Sequence, residues 1–138
     1  MEIKKIKKTT LTVAIALFAM ALTQKSYCTG DECADSVASF FVGAFGFLLG
    51  GAALCWLANP FLLFSWILIK RNTTSTILSA IAFLIALSFL FFDEIIMNEG
   101  GHFGEITSYE AGYWLWLCSA FFTLIGNVLI GLKKKGVV

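Results

Sequence analysis

The segments that flank the apolar runs of this chain are alternately basic and acidic. This alternation constrains the fold more than any other feature of the sequence. Basic residues cluster before the first apolar run, after the second and after the last, whereas acids fill the two loops between; only Glu2 and Lys25 break the alternation. The basic residues are Lys4, Lys5, Lys7, Lys8, Lys70, Arg71, Lys133, Lys134 and Lys135, and the acids are Asp31, Glu32, Asp35, Asp93, Glu94, Glu99, Glu105 and Glu110. Because basic residues stay on the cytoplasmic side of a membrane, the pattern predicts a membrane topology.

The composition favours the same class of protein. Of 138 residues, 59% are hydrophobic and 14% charged, which is too little polar surface to cover an ordinary soluble globule. The net charge of +1 is divided among clusters that flank apolar runs. A nucleic-acid-binding protein would gather its positive charge on one face, so that class is not expected.

Residues 1–23 have the form of a signal peptide or an N-terminal signal anchor. A lysine-rich lead precedes an apolar stretch at residues 11–22, and polar residues follow it. This stretch is shorter than the roughly 20 residues that a spanning helix needs. We keep cleavage and retention of residues 1–23 as alternatives. Either one would place loop 24–35 outside the cytoplasm.

The rest of the chain, residues 24–138, is predicted to be one transmembrane bundle, with spans at about 36–69, 74–92 and 111–132. A helix over all of 36–69 would be about 51 Å long, against a hydrocarbon thickness of about 30 Å. Proline removes a backbone donor and crowds the preceding turn. We therefore expect the first span to be kinked at Asn59-Pro60.

These spans predict an all-α integral membrane protein, a small antiparallel helical bundle. The mature chain would have three spanning helices, or four if the N-terminal segment is retained. The charge pattern places the C-terminus in the cytoplasm and the acidic loops 24–35 and 93–110 outside it. The expected location is the cytoplasmic (inner) membrane, in a multi-pass arrangement.

Small residues form a stripe in each of the first two spans, and we expect the two stripes to face each other as a helix-packing seam. Small residues at spacings of three and four let helix backbones approach closely. The stripes consist of Ser39, Gly43, Gly46, Gly50 and Ala53, and of Ser75, Ser79, Ala82 and Ala86. Intramolecular packing is the plainer interpretation, and a seam for a partner helix or a second copy of the chain is the alternative.

The cysteines divide into two groups by position. Cys28 and Cys33 lie close together in the first acidic loop, which predicts a disulfide outside the cytoplasm. Cys55 and Cys118 lie within apolar runs, where free cysteine behaves as a small apolar residue. A membrane thiol-disulfide oxidoreductase using Cys28 and Cys33 is kept as an alternative function.

Polar residues elsewhere indicate neither a metal nor a cofactor. His102 and the scattered carboxylates around it have no ligand spacing, so a solvated loop is expected there. A nucleophile motif and a phosphate loop are also lacking. Asn59 and Asn127 are the deepest polar side chains of the predicted spans, and we expect them to interact, with Asn59 also bonding carbonyls freed by Pro60.

No charged residue lies centrally in a predicted span, which argues against an ion-coupled carrier. The expected function is therefore non-catalytic: a small polytopic protein, either an accessory subunit or an immunity-type factor, that acts by protein–protein contact in the membrane. Its expected partners are the lipid bilayer and either another membrane protein or a second copy of itself. A homo-oligomeric pore or holin-like protein is a further alternative.

Overall fold

The computed structural model describes residues 1–98 and 100–137, which form a helical bundle with small β-sheets at one end. The α-helices are α1 (Ile3–Leu22), α2 (Ser36–Gly46), α3 (Ala58–Ile67), α4 (Asn72–Ser88) and α5 (Ala111–Lys134). Short 3-10 helices cover Phe47–Leu49, Gly51–Leu57 and Phe89–Phe91. The strands are β1 (Lys25–Thr29), β2 (Glu32–Asp35), β3 (Glu94–Ile96), β4 (Phe103–Glu105) and β5 (Ser108–Tyr109).

The prediction of an all-α fold is wrong, because both acidic loops contain paired strands. The structure is about 70% helical and 12% strand, with a three-stranded sheet in the order β2-β1-β5 and a β3-β4 hairpin. All pairings are antiparallel, and the register places Cys28 opposite Cys33 and Tyr27 opposite Tyr109. The strands are two to five residues long, so no alternating apolar pattern of useful length marks them in the sequence.

The prediction of three spanning helices is also wrong. Among the described residues, two helical stretches are long and apolar enough to cross a membrane, Asn72–Phe91 and Ala111–Lys134. The expected span at 36–69 is divided by Gly50 and Gly51, whose φ angles of 78° and 61° suit glycine, into shorter pieces. Pro60 lies in the first turn of α3, which follows directly on the 3-10 helix Gly51–Leu57, so the helical run continues through the proline.

Helix α1 packs along α5 in the antiparallel direction and forms part of the bundle. The Ser119 hydroxyl donates to the carbonyl oxygen of Ala14 at 2.7 Å, and Thr10 lies directly against Gly126. Ala14 and Ser119 are both fully buried. Helix α4 packs between α3 and α5 and completes the core.

The two ends of the bundle differ in structure and in charge. We call the end that carries the strands the capped end, and the acidic loops lie there because they join α1 to α2 and α4 to α5. We call the other end the basic end. The start of α1, the α3–α4 turn with Lys70 and Arg71, and the final lysines of α5 all lie at the basic end. The structure therefore places the acidic and the basic clusters at opposite ends.

Candidate functional site: a cleft beneath the cap

The segment Ser36–Leu49, which we call the arm, is held more loosely than the other helices. Within residues 36–49, all of them described, no side chain is buried. Trp56 attaches the arm to the bundle: its Nε1 donates to the Phe40 carbonyl at 2.7 Å, and its ring stacks on Phe47 at 5.8 Å between centroids. Gly43 lies so close to the indole that a Cβ there would overlap it.

A cleft of about 840 Å³ lies between the arm, the cap and the helices. This volume is within the range of about 300–1,000 Å³ usual for ligand sites in proteins. The walls are mostly apolar and include Phe40, Val42, Gly46, Ala53, Trp56 and Trp116. Arm residues on the rim are highly exposed, with 68% of Val42 and 80% of Phe45 accessible, so the cleft opens to the side of the bundle.

The small residues of the sequence stripes fall in two places. Those of α4, which are Ser75, Ser79, Ala82 and Ala86, are completely buried, and α4 packs on α3 and α5 rather than on the arm. Those on and after the arm line the cleft, namely Ser39, Gly43, Gly46 and Ala53. Gly50 lies at the chain break. At Gly46, a Cβ would have no described atom within 4 Å. The structure thus brings the α4 stripe into the core. The small residues of the arm, Ser39, Gly43 and Gly46, which we call the arm stripe, lie along the cleft, with Gly43 packed on Trp56 and Gly46 open.

The predicted disulfide is confirmed and lies at the rim of the cleft. Cys28 and Cys33 are bonded across β1 and β2, with Cys28 buried and Cys33 exposed on the cleft wall. The Oε1 atom of Glu110 lies 3.3 Å from the Sγ atom of Cys28 and accepts a hydrogen bond from the Ser108 hydroxyl at 2.8 Å. Sequence reasoning missed Glu110, because it is 82 positions from Cys28 and reaches it only through the β1–β5 pairing.

The rim of the cleft is acidic. Glu32 and Asp35 both line it, and Asp35 is paired with Lys25 at 2.6 Å. Glu32 belongs to the same strand, and its side chain is exposed. Burial raises the pKa of the neighbouring Tyr27 phenol, which keeps this group neutral over a wide pH range. The cleft therefore combines apolar walls with one carboxylate on its rim, that of Glu32, which has no ion-pair partner among the described residues.

The two asparagines expected to pair do not bond to each other. Asn59 accepts a hydrogen bond from Trp116 Nε1 at 2.8 Å, on the wall of the cleft. Asn127 donates instead to the Ser65 and Ser79 hydroxyls, at 3.3 and 3.1 Å, and to the Ser75 carbonyl at 3.1 Å. The spacing of two serines one turn apart on α4 was the sequence signal that could have identified the partners of Asn127.

The remaining candidate residues do not converge on a site. His102 is exposed, and its Nδ1 lies 3.1 Å from Asn98 Oδ1. In the part of the chain that the structure describes, the one group with metal-ligand geometry is Cys28, Cys33 and Glu110, whose ligand atoms lie within 4.8 Å of one another. Metal ligation by cysteine needs the thiolate, so the oxidised pair does not provide such a site. Cys55 and Cys118 are free, the first buried and the second exposed.

Comparisons of the chain with protein families, with curated proteins and with solved structures found no match.

Proposed function

We propose that this is a non-catalytic polytopic membrane protein that acts by protein–protein contact, as an accessory subunit or an immunity-type factor. The partner would place an apolar helical segment in the cleft beneath the cap. One observation carries the proposal: Gly46 on the arm lies along the open cleft, and a Cβ there would meet no described atom within 4 Å, whereas its stripe neighbour Gly43 is already packed on Trp56.

The lining of the cleft suits a membrane helix. Small side chains let a second helix approach closely, and in lipid this close packing is a main source of helix association. The α4 stripe already serves internal packing, whereas Gly46 has unoccupied space in front of it. The aromatic side chains Trp56 and Trp116 provide a rigid wall of the kind that dominates interface energies.

The charge of the rim defines the partner further. Glu32 and Asp35 belong to β2 of the cap and line the cleft, and Asp35 is already paired with Lys25. A basic residue flanking the apolar segment would meet the Glu32 carboxylate and fix the orientation of the partner. The proposed partner is therefore an apolar helix with lysine or arginine at its capped-end terminus.

The experiment combines membrane extraction with cross-linking. Retention in the membrane after alkaline extraction tests the proposed location. A photo-reactive amino acid replacing Phe45 would then report what occupies the cleft in living cells. We expect cross-linking to one distinct membrane protein, and we expect Gly46→Leu to abolish it by filling the space that the partner uses. The product must carry an apolar segment with a flanking basic residue.

A matched control is Cys118→Leu, which also enlarges a small exposed side chain in a helix but lies away from the cleft. It should leave the cross-link unchanged. Equal loss in both variants would overturn the proposal. Cross-linking only between differently tagged copies of this chain, together with a collapse of membrane potential on overexpression, would replace it with the pore alternative.

A thiol-disulfide oxidoreductase is the second candidate, favoured by the exposure of Cys33 and the position of Glu110 beside Cys28. A substrate thiolate would attack Cys33 Sγ and form a mixed disulfide, breaking the Cys28–Cys33 bond, and the released Cys28 thiolate, which lies beside Glu110, would take a proton from water. A second substrate thiolate would then release the oxidised substrate and leave both cysteines reduced. Trapping of thiols in cells decides this: a pair that is oxidised at all times eliminates the enzyme, whereas a reduced fraction that depends on Glu110 supports it.

A further inference from the structure

A second cavity, of about 310 Å³, lies at the basic end between the start of α4 and the end of α5. We call it the basic pocket. Four of its lining side chains are cationic: Lys70, Arg71, Lys134 and Lys135. The remaining walls come from Asn72, Thr73, Thr74 and Gly131. Positive charge from two separate segments of the chain thus converges on one concave site.

The backbone adds to the positive potential of the basic pocket. Helix α4 has 17 residues and begins at Asn72, and Arg71 at its N-cap supplies no side-chain hydrogen bond to the first turn. The first backbone N–H groups of a helix have no partner within it and carry the positive end of the helix dipole. These amides belong to residues that line the basic pocket.

No acidic side chain neutralises this charge in the structure. Within residues 1–98 and 100–137, the ion pair found is Lys25–Asp35, at the capped end. Lysines need only lie at the helix ends to set a membrane orientation. Their convergence around a concave site, together with the start of α4, goes beyond that requirement.

We propose that the basic pocket binds a phosphate group, with Lys70, Arg71, Lys134 and the first turn of α4 as its donors. Lysine and arginine clusters between membrane helices on the cytoplasmic side suit the headgroups of anionic lipids. Helix N-termini suit phosphate groups in general. The phosphate could belong to a lipid headgroup or to a soluble phosphate compound. The site is distinct from the cleft, and only the lipid source rests on the membrane location proposed above.

The test measures lipid binding to the purified full chain in mild detergent by native mass spectrometry. The probes are phosphatidylglycerol and, as a competitor, inorganic phosphate. We expect saturable binding of phosphatidylglycerol to the wild type and about 30-fold weaker binding to the Lys70→Gln/Lys134→Gln variant, since each lysine near a membrane surface contributes about fivefold.

The matched control is Lys8→Gln/Lys133→Gln, which removes the same charge from basic clusters but leaves the basic pocket intact. It should bind nearly as the wild type does. Equal weakening of phosphatidylglycerol binding in both double variants would show that the lipid is attracted to the basic end in general. That result would overturn the basic pocket as a specific site. Saturable binding of inorganic phosphate without binding of phosphatidylglycerol would assign a soluble ligand, whereas phosphatidylglycerol that inorganic phosphate displaces only at much higher concentration would assign the lipid. Extraction of the chain from membranes by alkali would overturn the lipid source and the proposed function, but not the phosphate site.

Discussion

The side-chain amide of Asn127 on α5 donates a hydrogen bond to the hydroxyl of Ser79 on α4, at 3.1 Å in the fully buried centre of the bundle. The same amide also reaches Ser65 and Ser75, which bond to each other between α3 and α4. One side chain thus joins three helices. In a core made largely of apolar residues, this network is the most specific link between them.

Replacing Asn127 with leucine is expected to lower the free energy of unfolding by about 1 kcal/mol, the order found for buried polar contacts between membrane helices. The loss arises because the serine hydroxyls lose their shared donor. Chemical unfolding in detergent measures it. Val128→Leu, on the exposed side of the same helix, is the control and should have no effect; an equal loss there would contradict the assignment.

The double variant Asn59→Leu/Asn127→Leu tests whether the two asparagines act separately. Asn59 bonds to Trp116, and Asn127 bonds to serines on α3 and α4, so the described residues give them no common partner. The sequence predicts a non-additive loss, but the structure leads us to expect that the two losses add. A coupling energy above about 0.5 kcal/mol would show that they interact.

Gly126→Ala is expected to loosen α1 from α5. A methyl group at this position would overlap the Thr10 side chain, and overpacking of this kind costs typically about 1–3 kcal/mol. Adding Thr10→Ala to the Gly126→Ala variant removes the two nearest atoms, Oγ1 and Cγ2 of Thr10, and should restore part of the lost stability. Thermal unfolding midpoints are compared for Gly126→Ala, for Thr10→Ala and for the double variant. Gly46→Ala is the matched control, because a Cβ there meets no described atom within 4 Å; a similar loss in that variant would point to a general effect of alanine.

Removal of the Cys28–Cys33 disulfide is expected to loosen the cap. Closing a loop of this length stabilises a fold by about 2 kcal/mol in the chain-entropy account. The variant Cys28→Ser/Cys33→Ser should therefore show faster hydrogen exchange in β1 and β2 and a lower unfolding midpoint. Cys118→Ser removes an exposed free thiol and should change neither. Unaltered exchange in the double variant would mean that strand pairing alone holds the cap.

Alkaline pH is expected to destabilise the cap through Tyr27. Burial raises the pKa of Tyr27 in the folded chain above its usual value of 10.0. The neutral phenol therefore contributes stability below about pH 10. That contribution is lost as the pH rises through the pKa of the folded state. Tyrosinate absorbance and unfolding midpoints, measured together, follow this change, and Tyr27→Phe should remove part of the alkaline loss. A variant as sensitive to alkali as the wild type would exclude Tyr27 as the cause.

The long helices and the disulfide could be predicted because their signals are local. Helices α4 and α5 follow apolar runs bounded by charges, and Cys28 and Cys33 are close neighbours in sequence. The cap could not be predicted in this way. Its central pairing places Tyr27 opposite Tyr109, 82 positions apart, and strands as short as β5 carry no periodic pattern.

The break in the second apolar run shows a different limit. Proline at position 60 is the strongest helix-breaking signal in that run, yet the chain tolerates it in the first turn of α3. The break falls at Gly50-Gly51, and Gly50 also fitted the predicted small-residue packing stripe. Because glycine suits both close helix packing and a positive φ, its role is decided by tertiary packing. The arm and the cleft follow from that choice.

The opposite charge of the two ends predicts that they face opposite sides of a membrane. Single cysteines replacing Lys70 at the basic end and Glu105 in β4 test this in intact cells, with Cys118→Ser as the background. An impermeant maleimide should label position 105 directly and position 70 only after the membrane is opened, because lysine and arginine are retained on the cytoplasmic side. Both positions are exposed, so access to the reagent depends on sidedness rather than on burial. Labelling of both in intact cells would reject this orientation, and the basic pocket would then not meet the cytoplasmic leaflet.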